Sequence, residues 1–117
     1  MPNQLFHNPR CSKSRATKQI LEDRSIETAV IEYLKEPPSP DDLDALCDKL
    51  GVEPQEIIRS KEKRFKELGL SLKDERPRTE WLKILSENPI LIERPIFVKG
   101  NQAVIGRPPE NVMALLD

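Results

Sequence analysis

The chain has 117 residues, enough for one domain with its own core (residues 1–117) and too few for two. Its 19 lysines and arginines are balanced by 20 aspartates and glutamates, and a formal charge of -1 with no segregation of basic residues gives no reason to expect bulk nucleic-acid or membrane binding. No run of about 18 apolar residues occurs and the N-terminus lacks a basic-then-apolar pattern, so neither a transmembrane span nor a signal peptide is expected, and the expected address is cytoplasmic.

Leu5-Phe6 reads as the end of a short strand, and Asn8-Pro9 turns the chain into Cys11. From Lys13 to Asp23, the residues Ala16, Ile20 and Leu21 make a narrow apolar face that predicts a helix. Thr28 to Leu34 is β-branched and aromatic enough for a second strand. Strand, helix and strand in succession form a βαβ unit, so the two strands are expected to be parallel. Glu36-Pro37-Pro38-Ser39-Pro40 breaks the chain, Asp41-Asp42 opens the next helix, and Gly51 ends it after Leu50.

A short helical piece follows at Glu53 to Ile58, then a charged one from Lys61 to Leu68, ended by Gly69. Pro77 suits the first turn of a helix from Thr79 to Glu87, which Asn88-Pro89 closes. The period then changes. Ile90-Leu91-Ile92 with Pro95-Ile96-Phe97-Val98 read as strand, Lys99 to Gln102 as a tight turn, and Ala103-Val104-Ile105 as the hairpin partner. A last helix, with Val112, Met113, Leu115 and Leu116 on its apolar side, follows Gly106-Arg107-Pro108-Pro109. This order predicts an α/β chain of thioredoxin-like class, a four-stranded mixed sheet with a large helical insertion between its βαβ and ββα parts.

Two cysteines, 36 positions apart, make no disulfide scaffold, and reduced thiols are expected. Cys11 stands where a helix begins. There, unpaired backbone N–H groups and the helix dipole favour a thiolate, and Arg10, Lys13 and Arg15 add positive charge. The alternative, a small buried side chain, fits poorly between Arg10 and Ser12 on a loop. In the motif Cys11-x-x-Ser14 a serine occupies the place of a resolving cysteine, so no disulfide can close within the loop. The Ser14 hydroxyl either donates to the thiolate or serves the helix start.

Cys47 repeats with Leu43, Leu46 and Leu50 at helical spacing, which reads as a buried, inert thiol and leaves resolution to an external one. The phosphatase cradle Cys-x5-Arg is absent, because the sixth residue after Cys11 is Thr17. One histidine and two distant cysteines cannot make a zinc site, and no metal or bound cofactor is expected. Arg59, Arg94 and Arg107 stand at joints between elements, and guanidinium forks suit tetrahedral oxyanions. On sequence alone each reads more often as an ordinary surface arginine than as an anion ligand. His7 has two readings: a strand-end imidazole with its own partner, or a charge acting on Cys11.

Together, His7-Asn8-Pro9-x-Cys11-x-x-Ser14-Arg15, Tyr33-Leu34-x-x-Pro37-Pro38, Ile58-Arg59, Lys66-Glu67-Leu68-Gly69-Leu70, Asn88-Pro89-Ile90-Leu91-Ile92-x-Arg94-Pro95-Ile96 and Gly106-Arg107-Pro108 resemble the glutaredoxin-coupled arsenate reductase (ArsC-like) family, in its short-tailed branch. The resemblance implies a thioredoxin-like core with Pro95 as a cis-proline beside the active cysteine. It implies that Cys11 attacks arsenate, that Arg59, Arg94 and Arg107 hold the oxyanion, and that His7, with Ser14 and Arg15 in support, tunes the thiol. Glutathione as co-substrate and glutaredoxin as protein partner are implied with it. Two other readings remain beside it: a monothiol glutaredoxin-type oxidoreductase, and a non-catalytic, Spx-like protein-binding module. Against the last, the redox-sensing regulators of RNA polymerase carry Cys-x-x-Cys and lack the His-Asn-Pro lead-in.

Overall fold

A computed structural model describes residues 3–116, which gather into two compact units. One is built from both ends of the chain, 3–36 and 94–116, and the other from 37–93.

The first unit holds the sheet. Strands β1 (Asn3–His7), β2 (Thr28–Glu32), β3 (Ile96–Lys99) and β4 (Gln102–Ile105) lie in the order β2-β1-β3-β4. β1 pairs parallel with β2 and antiparallel with β3, and β4 pairs antiparallel with β3. This is the mixed sheet of the thioredoxin-like class. Helix α1 (Ser12–Asp23) links the parallel pair, as a βαβ unit requires. Because β1 and β3 are inner strands, Leu5, Phe6, Ile96, Phe97 and Val98 are all buried. Leu5 stands opposite Phe97 and joins Leu21 and Val112 in one apolar cluster, with Ile20, Ile26, Val104, Leu115 and Leu116 packed around it. Gly100 opens the two-residue β3–β4 turn at φ 61°, the positive φ that such hairpin turns ask of their first residue.

The residues α1 turns inward differ from those its apolar residues suggest. Ala16 is exposed, while Ser14, Thr17 and Leu21 are buried. Two of the three inward positions are therefore hydroxyls, which a hydrophobic pattern does not register. The last helical segment also differs. Pro109–Leu115 is a 3-10 helix, and its period of three sets Val112 and Leu115 on one side.

In the second unit, α2 (Pro40–Leu50) packs against α4 (Arg78–Glu87), burying Leu43, Leu46 and Cys47 from one and Trp81, Leu82 and Leu85 from the other. The Ser39 hydroxyl accepts the Asp42 N–H while the Asp42 carboxylate accepts the Ser39 N–H, a reciprocal cap, and Gly51 at φ 71° ends the helix. Arg78 donates from Nε to Asp44 at 2.7 Å and from Nη2 to Asp48 at 2.9 Å, tying α4 to α2. A 3-10 turn, Pro54–Ile57, and the five-residue α3 (Lys63–Glu67) lie between these helices in the chain. Ile90 to Ile92 is not strand. Pro89 starts a 3-10 turn, Pro89–Leu91, and Ile92 makes only an isolated antiparallel bridge with Ile58. β3 begins at Ile96, after a cis Arg94–Pro95 bond.

Candidate active site

The site is built outward from Cys11, which takes the N-cap position of α1 with extended backbone angles, φ -93° and ψ 123°. Asn8 shapes the approach to it. Its carbonyl accepts the Cys11 N–H at 3.0 Å, and its side-chain oxygen accepts the Arg10 N–H at 3.0 Å, an Asx turn that closes the loop. Its own N–H donates to the Ser14 hydroxyl at 3.0 Å. Arg15 staples the same loop from outside, donating from Nη1 to the Pro9 carbonyl at 3.0 Å. Arg10 is exposed.

The Cys11 thiol is partly exposed and its pKa lies below the ordinary value. Burial is the largest influence and works against ionisation. It is outweighed by the backbone N–H of Ser14, the Arg94 guanidinium and the backbone N–H of Lys13. Arg107 reaches the same sulfur from the far end of the chain, with Nη1 3.8 Å from Sγ. The same nitrogen donates to the Arg94 carbonyl at 3.2 Å, so the two arginine residues are held together beside the thiol. A helix-start cysteine between two guanidinium groups can serve as a nucleophile toward a tetrahedral oxyanion.

Of the remaining expected site residues, Pro95 is buried and carries the expected cis bond, and Arg107–Pro108 is cis as well. Ser14 does not turn its hydroxyl to the thiol. It holds Asn8 and lies 2.7 Å from the Nδ1 of His7, while its backbone N–H acts on the sulfur. His7 is buried, and burial followed by the nearby Lys18 lowers its pKa although Glu32 opposes this. The imidazole is therefore neutral at neutral pH, and its contact is Ser14. The reading in which its positive charge acts on Cys11 gives way to the one in which it has its own partner. Cys47 is fully buried, with its thiol pushed up to about 11.

Cys11, Arg94 and Arg107 come together within the first unit, and Arg59 belongs to the second. Its backbone N–H donates to the Leu91 carbonyl at 2.7 Å, its Nη1 to Glu93 at 2.8 Å and its Nε to Glu62 at 3.3 Å. Burial disfavours its charge, and Glu93 and then Glu62 more than restore it.

Two residues of the site carried no signal of their own in the sequence. Apart from its place in the resemblance, Asn8 read as half of a turn, and Thr17 read only as the residue that replaces a phosphatase arginine. Thr17 is fully buried, with its hydroxyl on the Lys13 carbonyl at 2.9 Å.

Among the described residues, no helix is long and apolar enough to cross a membrane. The model of the ArsC family matches residues 6–115. An arsenate reductase of Haemophilus influenzae is 40% identical over 113 residues, covering 96% of this chain and 97% of the relative. One from Neisseria meningitidis is 40% identical over 116 residues, covering 96% of each chain. The solved structure of an arsenate reductase from Vibrio cholerae superposes with a TM-score of 0.90 at 42% identity, over 97% of both chains. With its sheet order, its helix-start cysteine and a family match over nearly its whole length, the chain belongs to the ArsC family.

Proposed function

We propose that this chain is an arsenate reductase in which Cys11 is the nucleophile. The observation that carries the reading is the meeting of Arg94 and Arg107 at a thiol already held toward its ionised form. The thiolate attacks the arsenic of arsenate and an oxygen leaves as hydroxide, which takes a proton to become water. The two guanidinium groups balance the charge on the remaining oxygens, and the fixed forks favour a tetrahedral anion over a planar one.

Reduction from arsenic(V) to arsenic(III) needs two electrons, and the chain has one accessible thiol among the described residues. Glutathione supplies the second sulfur by displacing a further oxygen as water. A glutaredoxin thiol then attacks the glutathione sulfur, leaving the electron pair on arsenic, and hydrolysis releases arsenite and Cys11. Overall, two thiols become one disulfide and arsenate loses one oxygen as water. The serine at position 14 and the burial of Cys47 support dependence on these outside thiols. A reducing compartment, the cytoplasm, is the setting that supplies them. The resemblance at Ile58-Arg59 supports Arg59 as a third anion-binding guanidinium.

The test is a coupled assay with arsenate, glutathione, glutaredoxin and NADPH. Turnover that requires all four, and that disappears in Cys11→Ser, is expected. Absence of turnover at any arsenate concentration would remove arsenate as substrate. Turnover of glutathionylated substrates without any arsenate dependence would instead favour the monothiol reading.

A further inference from the structure

Three chain segments converge one residue before Arg107 so closely that a single added carbon has no space, and the residue there is Gly106. It is buried, and its backbone is not in the left-handed region, so conformation does not demand glycine. Space does. A Cβ at this position would lie 2.6 Å from Thr17 Oγ1, 2.9 Å from Pro95 Cγ and 3.3 Å from Thr17 Cγ2. The first two separations are shorter than carbon contacts in folded proteins allow.

Neither neighbour is free to yield. Thr17 is fully buried and its hydroxyl is bonded to the Lys13 carbonyl in the first turn of α1. Pro95 is buried, and its carbonyl accepts the Gly106 N–H at 2.9 Å. The end of β4 is thus pressed against α1 on one side and the Arg94–Pro95 corner on the other. The next residue is Arg107, whose Nη1 meets both the Cys11 sulfur and the Arg94 carbonyl.

We propose that Gly106, seated against Thr17 and Pro95, is a positioning residue that sets the reach of Arg107 to Cys11. The inference rests on the reading of Cys11 as the reactive thiol. A side chain at 106 drives the backbone before Arg107 away from α1, and the guanidinium moves with it. Thr17 has the reciprocal part, since its locked rotamer is the surface on which Gly106 rests.

The experiment measures the rate of Cys11 alkylation by iodoacetamide against pH in Gly106→Ala, together with arsenate kcat and KM. The titration midpoint is expected to rise, and arsenate KM to rise by about tenfold or more, because small misplacements of a binding group carry large penalties. Gly106→Ala/Thr17→Ala removes two of the three colliding atoms and is expected to recover part of both losses. In an Arg107→Ala background, Gly106→Ala should add no more than about twofold, since the two changes act through one contact.

A wild-type alkylation profile in Gly106→Ala, or an undiminished effect in the Arg107→Ala background, would overturn the proposal. If Gly106→Ala does not fold, the double variant takes its place in the cycle with Arg107→Ala, and full additivity there overturns it equally. The alkylation profile contains no arsenate. A shifted profile in an arsenate-inactive protein would therefore sink the substrate and leave the positioning role standing.

Discussion

The Nδ1 of His7 and the Oγ of Ser14 meet at 2.7 Å as a buried pair, seven positions apart. The same hydroxyl accepts the Asn8 N–H, so one oxygen joins the end of β1, the cysteine loop and the first turn of α1. Ser14→Ala leaves the imidazole nitrogen and the Asn8 N–H buried without that partner, and is expected to cost about 1–3 kcal/mol in chemical denaturation. The alkylation midpoint of Cys11 should rise in the same variant, because the Ser14 N–H is positioned by this junction. Wild-type stability with an unchanged midpoint would remove the role.

His7 is the sole histidine of the chain, so its titration can be isolated. Its folded pKa is depressed below 6.5, chiefly by burial, so the unfolded chain binds the proton first as pH falls. The contribution is complete above about 6.5 and is lost as pH drops through the lower folded value. Melting temperature measured from pH 7.5 to 5 should fall on the acid side, and His7→Gln should flatten that slope. An identical slope in the variant would assign the acid sensitivity to carboxylates alone.

Arg94 acts on the thiol as well as on the anion in this scheme. Arg94→Lys keeps the charge but not the planar fork, and arsenate turnover is expected to fall about a hundredfold. Arg94→Ala should also raise the alkylation midpoint of Cys11. Full turnover in Arg94→Lys would show that a point charge suffices. Arg59→Ala, assayed alongside, tests the third guanidinium directly through arsenate KM.

Cys47 gives the opposite pH signature. Burial, partly offset by Arg78, holds its thiol protonated up to about 11, while an unfolded chain releases the proton near 9.0. Its contribution is complete below 9.0 and is lost as pH rises through about 11, a change of about 2–3 kcal/mol. Denaturation at pH 8 and pH 10.5 should show that loss, and Cys47→Ala should reduce it. Mass spectrometry after brief iodoacetamide treatment at pH 8 should find one adduct, on Cys11. A second adduct on the folded protein would contradict the burial.

The elements that were legible in the sequence are those whose cause is local. Parallel β1 and β2 followed from β-branched runs around a helical period, and the β3–β4 hairpin from its glycine turn. Gly51 and Gly69 marked helix ends as they stand, both at positive φ. The stretch Ile90 to Ile92 misled because apolar content alone does not separate a strand from a 3-10 turn started by proline. The cysteine announced itself through its flanks. Its arginines did not, because nothing in a one-dimensional spacing says that an arginine 96 positions from the cysteine reaches its sulfur. Family resemblance supplied them. Gly106 was invisible in a different way: its requirement comes from the Thr17 hydroxyl and the Pro95 ring, neither of which is its neighbour in the chain.

Helix α1 is fastened differently at its two ends. Near Cys11 it is held through the Ser14 hydroxyl, whose bonds to His7 and Asn8 fix direction as well as distance. Toward its C-terminus it is held by Ile20 and Leu21 packed in hydrocarbon, whose contacts carry no fixed direction. The helix is therefore anchored by directional bonds at the reactive tip and by non-directional packing at the tail. Drift in the core over evolutionary time can alter how firmly this fold holds together while the sulfur stays aimed, so durability and reactivity are adjustable separately along one helix.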